Sequence, residues 1–182
     1  MVSQFIGTDG KRQLHEIDFA FPQGIHAIGR LDSHSEGLLL LTTNKKITKL
    51  LFESKVPHRR TYIVQALNVM NAETLANLQQ GVSIRVKGGG FWTTSPCEAE
   101  IIEKPDGLFP VDNGLKEFIP HTWLQITLTE GKYRQIRKML MAVRHKCRRL
   151  IRVSIENMML NDLAPGEVKE VSESDFFRLL KI

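Results

Sequence analysis

Several common signals are missing from this chain of 182 residues. Its 2 cysteines, Cys97 and Cys147, lie far apart and form no Cys-x-x-Cys pair, which gives no basis for a disulfide framework or a cysteine zinc motif. Apolar runs such as Leu38–Leu41 are far too short to span a bilayer. The first residues lack the basic and then apolar layout of a signal peptide. We therefore expect a cytoplasmic protein with reduced cysteines and no membrane association.

Acidic residues are in a mild minority, with 20 Asp and Glu against 25 Lys and Arg, so the net charge is +5 and the pI is near 9.3. This excess does not by itself identify a nucleic-acid-binding protein, because the placement of the charge matters more than its sum. The sequence also lacks Gly-x-Ser-x-Gly, His-Glu-x-x-His and phosphate-loop motifs. Its 6 histidines are scattered, without metal-ligand spacing on a helix, and we expect no metal site.

Alternating patterns predict an α+β fold with a mixed, largely antiparallel sheet flanked by helices. About eight strands and four helices are expected. Helices are predicted over 44–53, 71–81, 132–145 and 173–180. The clearest strands are predicted over 37–43, 61–67, 97–104, 123–130 and 150–155. The glycines at 88–90 predict a hairpin turn and not a phosphate loop, because no Lys-Ser or Lys-Thr follows them.

Asp32 is the first candidate for chemistry. It ends a short polar turn, Gly29–Asp32, directly before the apolar run. A carboxylate beside a buried strand is unfavourable unless it is exposed or paired. From the residues alone, an aspartate that caps a turn is the alternative interpretation.

Two segments near the C-terminus carry clustered positive charge. The first, EGKYRQIRKM over 130–139, puts cations on the first turns of a predicted helix, where the helix dipole favours anions. The second, RHKCRRLIR over 144–152, has five Lys or Arg residues and no acid. Both patterns indicate an anionic partner, and nucleic-acid phosphates fit the second. A solvated helix face and a simple surface patch are the alternatives.

Together these segments resemble the RsuA/RluE-type ribosomal RNA pseudouridine synthases. GRLDSHSEGLLLLTTN over 29–44 is similar to the signature of that family, and EGKYRQIRKM followed by RRLIRVSI resembles its C-terminal motif. Tyr62, in Thr-Tyr-Ile-Val, falls where the family carries its active-site tyrosine. IPHTWL over 119–124 resembles the branch that lacks an S4 domain and acts on large-subunit rRNA. The resemblance covers about residues 3–170, in the family order.

The resemblance implies the pseudouridine synthase catalytic fold, with a central cleft, and a cofactor-independent isomerase. Its substrate would be a specific uridine in ribosomal RNA, that of the large (23S) subunit. Asp32 matches the catalytic aspartate, Arg137 the basic residue that pairs with it, and Tyr62 the tyrosine that stacks on the target base. RNA contacts are expected from Arg30, Arg134, Lys138, Arg144, Lys146, Arg148 and Arg149.

The resemblance also bears on domain organisation. We expect one catalytic domain over 1–182 without an S4 domain, acting as a monomer, so that this domain supplies the RNA affinity. The Lys-Pro-containing strand of the family is expected to precede Met1. Arg144 stands where many relatives have glycine, which is expected to alter the local turn.

Two other functions compete with this one. The first is a catalytically inactive RNA-binding protein of the same fold, against which the joint retention of Asp32, Tyr62 and Arg137 argues. The second is an unrelated, metal-independent hydrolase that uses Asp32. That reading lacks a second well-placed acid or base within the motifs.

Overall fold

The computed structural model of the chain describes residues 1, 3–6, 10, 12–52, 56–111, 116 and 118–182. The strands found there are β1 (His26–Ile28), β2 (Glu36–Gly37), β3 (Leu40–Thr42), β4 (Arg60–Leu67), β5 (Ser83–Arg85), β6 (Phe91–Thr93), β7 (Glu98–Ile102), β8 (His121–Leu128), β9 (Cys147–Ile155) and β10 (Met158–Met159). The α-helices are α1 (Lys46–Phe52), α2 (Ala72–Gln80), α3 (Gln135–Ala142) and α4 (Glu173–Leu180).

A six-stranded sheet forms the centre of the fold, in the order β10-β9-β4-β8-β7 with β2 also alongside β9. Its pairs are antiparallel except for β2 with β9, which run parallel. Two small antiparallel pairs, β1 with β3 and β5 with β6, lie outside it. The prediction of an α+β fold with a mixed, largely antiparallel sheet is therefore confirmed.

The two faces of β4 bury different side chains, as its alternating pattern predicts. Val64 and Ala66 belong to the main core, which also contains Leu78 of α2 and Leu140 of α3. Ile63 points to the other face, into a smaller cluster. Burial of each large aliphatic side chain contributes about 1.5–3 kcal/mol, so these contacts fix both helices on one face of the sheet.

Helix caps follow the sequence closely. The Asn71 side chain accepts a hydrogen bond from the Thr74 amide at the start of α2. Gly81 ends that helix with φ of 99°, and its amide donates to the Leu78 carbonyl. Ser172 accepts from the Asp175 amide at the start of α4. These polar groups satisfy backbone atoms that a helix end leaves unpaired, which is why they mark the boundaries so reliably.

The predicted strand over 37–43 is wrong in one respect, because the chain divides it between two sheets. Gly37 pairs with Arg152 in the central sheet, whereas Leu40 pairs with Ile28 of β1. Gly37 has φ of 99°, and a Cβ there would lie 2.3 Å from the Arg152 carbonyl oxygen. Only glycine permits this approach, and the turn redirects the apolar run.

The helix predicted over 132–145 is also shorter in the structure. Its N-cap residue, Arg134, has φ of 53°, a left-handed conformation that the preceding turn imposes. At the other end, Arg144 is left-handed with φ of 64°. Glycine is favoured in this conformation, so arginine occupies the turn at a conformational cost without abolishing it.

Within the described residues, no helix is long and apolar enough to cross a membrane. The segment 105–120, which begins and ends with proline, has neither helix nor strand where it is described, while 112–115 and 117 lie outside the described residues. The predicted end of the first helix, Glu53, also lies outside them.

Candidate active site

The turn that carries Asp32 is fixed through its backbone. The Asp32 carbonyl accepts a hydrogen bond from the Ser35 amide at 2.8 Å. The hydroxyl of Ser3 both donates to the Leu31 carbonyl and accepts from the Leu31 amide. Asp32 is half-buried, and among the described residues no hydrogen bond or ion pair engages its carboxylate. The backbone at Asp32 is therefore fixed, while its carboxylate has no partner among the described residues.

Three arginines anchor the segment that follows Asp32. Arg137 of α3 donates to the His34 carbonyl at 2.5 Å and approaches the Ser35 hydroxyl at 3.4 Å. Arg149 and Arg152 of β9 hold the next residues in the chain. Because the three guanidiniums approach from a helix and from a central strand, the position of the Asp32 turn depends on the packing of the whole sheet.

The predicted pairing of Arg137 with Asp32 is not present in the structure. In the described part of the chain, no ion pair within 4.0 Å joins the two side chains. Arg137 instead binds backbone and hydroxyl oxygens two and three residues beyond Asp32, and the Cys147 carbonyl at 3.4 Å. Motif order correctly places Arg137 near the turn, but it does not specify which oxygens the guanidinium meets.

Arg149 also differs from its predicted role as a phosphate contact. It is 8% exposed, and its Nε and Nη2 bind the Glu36 carboxylate at distances of 2.8 to 3.2 Å. Nη2 also donates to the Phe109 carbonyl at 2.8 Å. A planar guanidinium held by a carboxylate in this bidentate way has a structural role, because its donors are already used within the protein. We therefore assign Arg149 to positioning β2 and not to RNA.

Arg152 is the residue that sequence reasoning missed. It is 4% exposed, its Nε donates to the Leu38 carbonyl at 2.8 Å, and no hydrogen-bond partner of its Nη2 is found in the described part of the chain. Burial lowers the pKa of Arg152, and the neighbouring Tyr62 side chain partly opposes that effect. The available signal was its place in the strand, because Arg152 falls on the same face as buried Leu150.

Tyr62 lies where its strand predicts, half-buried at the edge of the main core. Arg60, two residues earlier on the same strand, is also buried, and desolvation lowers its pKa. The Arg60 guanidinium lies near Gly131, at the turn into α3. Two buried arginines, Arg60 and Arg152, therefore lie beside Tyr62.

The other predicted RNA-binding residues divide by exposure. Arg30 is exposed, and it donates to the Gln4 side chain at 3.1 Å. Arg134, Arg144 and Lys146 are exposed, whereas Lys138 and Arg148 are half-buried. All except Arg30 lie in or beside α3 and the start of β9, so the basic surface is continuous with the segment that holds the Asp32 turn.

Thiol chemistry does not fit this site. Burial raises the pKa of both Cys97 and Cys147 to about 11, so both are protonated at neutral pH. Among the described residues, no group of three or more His, Cys, Asp or Glu side chains is arranged to hold a metal ion. Asp32 is thus the available anionic group beside the basic surface.

Comparisons with known proteins agree with these features. The family model described as RNA pseudouridylate synthase matches residues 8–142. The chain is 37% identical over 174 residues to ribosomal large subunit pseudouridine synthase E of Vibrio vulnificus, covering 94% of this chain and 70% of that protein. It is 35% identical over 167 residues to the protein of the same name from Xanthomonas axonopodis pv. citri, covering 91% and 85%.

A solved structure, described as a crystal structure of pseudouridylate synthase, has the same fold. It superposes with a TM-score of 0.77 at 23% identity, covering 98% of this chain and 68% of that one.

Proposed function

The chain belongs to the RNA pseudouridylate synthase family, whose members are isomerases acting on RNA, and from that premise we propose that it converts a specific uridine of large-subunit (23S) ribosomal RNA to pseudouridine. The names of its relatives from Vibrio and Xanthomonas support this substrate class. The observation that carries the proposal for the site is Asp32: its backbone is anchored, and its carboxylate is engaged by no other described residue.

The proposed reaction conserves the composition of the substrate. The bond from N1 of uracil to C1′ of the ribose breaks, and a bond from C5 to C1′ forms. The C5 proton leaves and N1 gains one. Asp32 has three possible roles: attack on C1′, attack on the pyrimidine ring, or removal of a sugar proton. All three require an ionised carboxylate in a site that excludes water.

We propose that Arg137 acts on Asp32 indirectly. By holding the His34 carbonyl and the Ser35 hydroxyl, it fixes the turn on which the carboxylate stands. Catalysis is sensitive to small misplacements of reacting groups, so this anchoring is as important as direct contact.

We propose that Tyr62 stacks on the target base after that base leaves its helix, and that its hydroxyl helps to remove the C5 proton. Taking a base out of its stack costs a few kcal/mol. The exposed cations Arg30, Arg134, Arg144 and Lys146 would offset that cost through phosphate contacts.

Tritium release tests the proposal. Large-subunit RNA labelled with tritium at C5 of uridine is incubated with the protein, with small-subunit RNA and tRNA as controls. We expect release from large-subunit RNA alone, and none with Asp32→Asn at an unchanged melting temperature. Release by the variant would remove Asp32 from the mechanism, and equal release from the control RNAs would overturn the substrate class. Binding without any release would indicate an inactive RNA-binding protein.

A further inference from the structure

Exposed aromatic rings lie beside the N-terminal end of α3. Trp92, on β6, is 42% exposed, and Tyr133 is 69% exposed. The Lys132 ammonium lies 4.2 Å from the centre of the Trp92 ring, and that of Lys138 lies 5.3 Å from the Tyr133 ring. We call these four residues the aromatic–lysine surface. Lys138 directly follows Arg137, so this surface adjoins the segment that anchors the Asp32 turn.

The aromatic–lysine surface is held in place by Glu130. Its carboxylate accepts a hydrogen bond from the Ser95 amide, just after β6, at 3.0 Å and another from the Gln135 side chain at 2.7 Å. Gln135 in turn accepts from the Lys132 amide at 2.7 Å. One carboxylate therefore joins the hairpin to the start of α3. The rings are preorganised, which reduces the entropy that binding would cost.

The charge around the rings is predominantly positive, and the neighbouring Glu130 carboxylate is already engaged by Ser95 and Gln135. Residues 82–93 and 131–138 contain six basic residues and no Asp or Glu. The basic residues are Arg85, Lys87, Lys132, Arg134, Arg137 and Lys138. Exposed aromatic side chains interleaved with cations are typical of surfaces that bind single-stranded nucleic acid. A single-stranded nucleic acid can stack its bases on the rings and place its phosphates against the cations.

We propose that the aromatic–lysine surface binds unpaired nucleotides next to the target uridine, with bases stacked on Trp92 and Tyr133 and phosphates against the two lysines. This inference rests on the proposed function, to which it adds where the neighbouring nucleotides lie. A target base that leaves its helix disrupts its neighbours, and aromatic platforms stabilise bases so released.

Tryptophan fluorescence tests this directly, because the chain has 2 tryptophans and the other, Trp123, is 6% exposed in the core. The full chain carrying Asp32→Asn, which prevents turnover, is titrated with a 12-nucleotide oligouridylate and with an RNA duplex of equal length. Trp92→Phe keeps a ring but removes the reporter, while Trp92→Ala removes the ring. Ile101→Ala, on β7 between Glu100 and Glu103, is the matched control because Ile101 is 45% exposed.

We expect the single strand to quench the emission and the duplex to quench it less, with no quenching in Trp92→Phe. Trp92→Ala should weaken binding roughly 5- to 150-fold, the range expected for one stacked base. Trp92→Phe should bind within about threefold of the parent, again because stacking is retained. Lys132→Met should reduce the steepness of the plot of log affinity against log salt concentration by about 0.7. Lys169→Met, at an exposed lysine outside this surface, is the control and should not change that slope.

Equal affinities of Trp92→Ala and Ile101→Ala, or emission that does not respond to RNA, would overturn the inference. So would Trp92→Ala and Lys132→Met variants that melt at a lower temperature but bind normally, because the Lys132–Trp92 contact would then serve only the hairpin. These outcomes are separate from the tritium assay. If large-subunit RNA is isomerised but Trp92 emission does not respond to RNA, the proposed function stands and the role of the aromatic–lysine surface is contradicted. Quenching without isomerisation supports the surface and contradicts the proposed substrate.

Discussion

Tyr62 on β4 and Arg152 on β9 are direct cross-strand neighbours, with their side chains next to each other on the α3 side of the sheet. Arg152 is buried, and its Nε donates a hydrogen bond to the Leu38 carbonyl. A guanidinium donates hydrogen bonds and a phenol oxygen can accept one, so the neighbouring Arg152 can orient the Tyr62 hydroxyl. The pair is therefore suited to a hydroxyl that takes part in proton removal.

We predict that Tyr62→Phe and Arg152→Met slow the isomerisation through one shared effect. Each variant should reduce turnover by about 100-fold, the lower range for a lost proton-transfer group. In the Tyr62→Phe background, Arg152→Met should reduce it by a smaller further factor, that of the lost anchor at the Leu38 carbonyl, because the hydroxyl beside Arg152 is already absent. Single-turnover rates of the four proteins measure this, and multiplicative losses would show that the two residues act independently.

For Arg137, we predict an effect on stability that does not depend on Asp32. Arg137→Met should lower the free energy of unfolding by about 1.5–3 kcal/mol, because hydrogen bonds from a charged group to the His34 and Ser35 oxygens are lost. Asp32→Asn should add nothing to this, so urea denaturation of the double-mutant cycle should give a coupling below about 0.5 kcal/mol. A coupling above 1 kcal/mol would indicate that the carboxylate and the guanidinium pair in solution.

Arg149 and Lys146 should respond oppositely to the same substitution. Arg149→Met leaves the Glu36 carboxylate without its partner, and we expect a loss of about 2–3 kcal/mol in stability, less than for a fully buried pair because Glu36 is partly exposed. The salt dependence of RNA binding should be unchanged. Lys146→Met should leave stability within about 0.5 kcal/mol and lower the salt slope by about 0.7–0.9. Thermal melts and salt titrations decide between the two roles, and a lower slope for Arg149→Met would return it to the RNA surface.

The left-handed turn at Arg144 offers a test of backbone strain. With φ of 64°, a non-glycine residue carries a strain of about 1–2 kcal/mol. Glycine removes that strain, but its greater conformational entropy in the unfolded chain offsets part of the gain. We predict that Arg144→Gly raises the free energy of unfolding by up to about 1 kcal/mol. Arg144→Ala is the control, because it removes the same charge and keeps the strain. Equal stability of the two variants would show that the turn carries no strain.

Local chemistry made much of the fold predictable. The cap at Asn71, the glycine end at Gly81 and the alternation of β4 follow from hydrogen bonding and burial within a few residues, so the sequence predicts them directly. The divided run at Gly37 was not predictable, since only the approach of Arg152 from more than a hundred residues away requires that break.

The candidate site divides in the same way. Residue order alone determines that Asp32, Tyr62 and Arg137 stand in motifs of one family, and it places a basic segment after α3. It does not determine which cation meets which oxygen. Arg149 and Arg152 look alike in the sequence as members of one basic run, yet parallel pairing of β2 with β9 buries Arg149 against Glu36 and brings Arg152 to the Leu38 carbonyl. Charge pattern is a property of the chain in one dimension, whereas pairing depends on strand register and burial, which exist only in the folded structure.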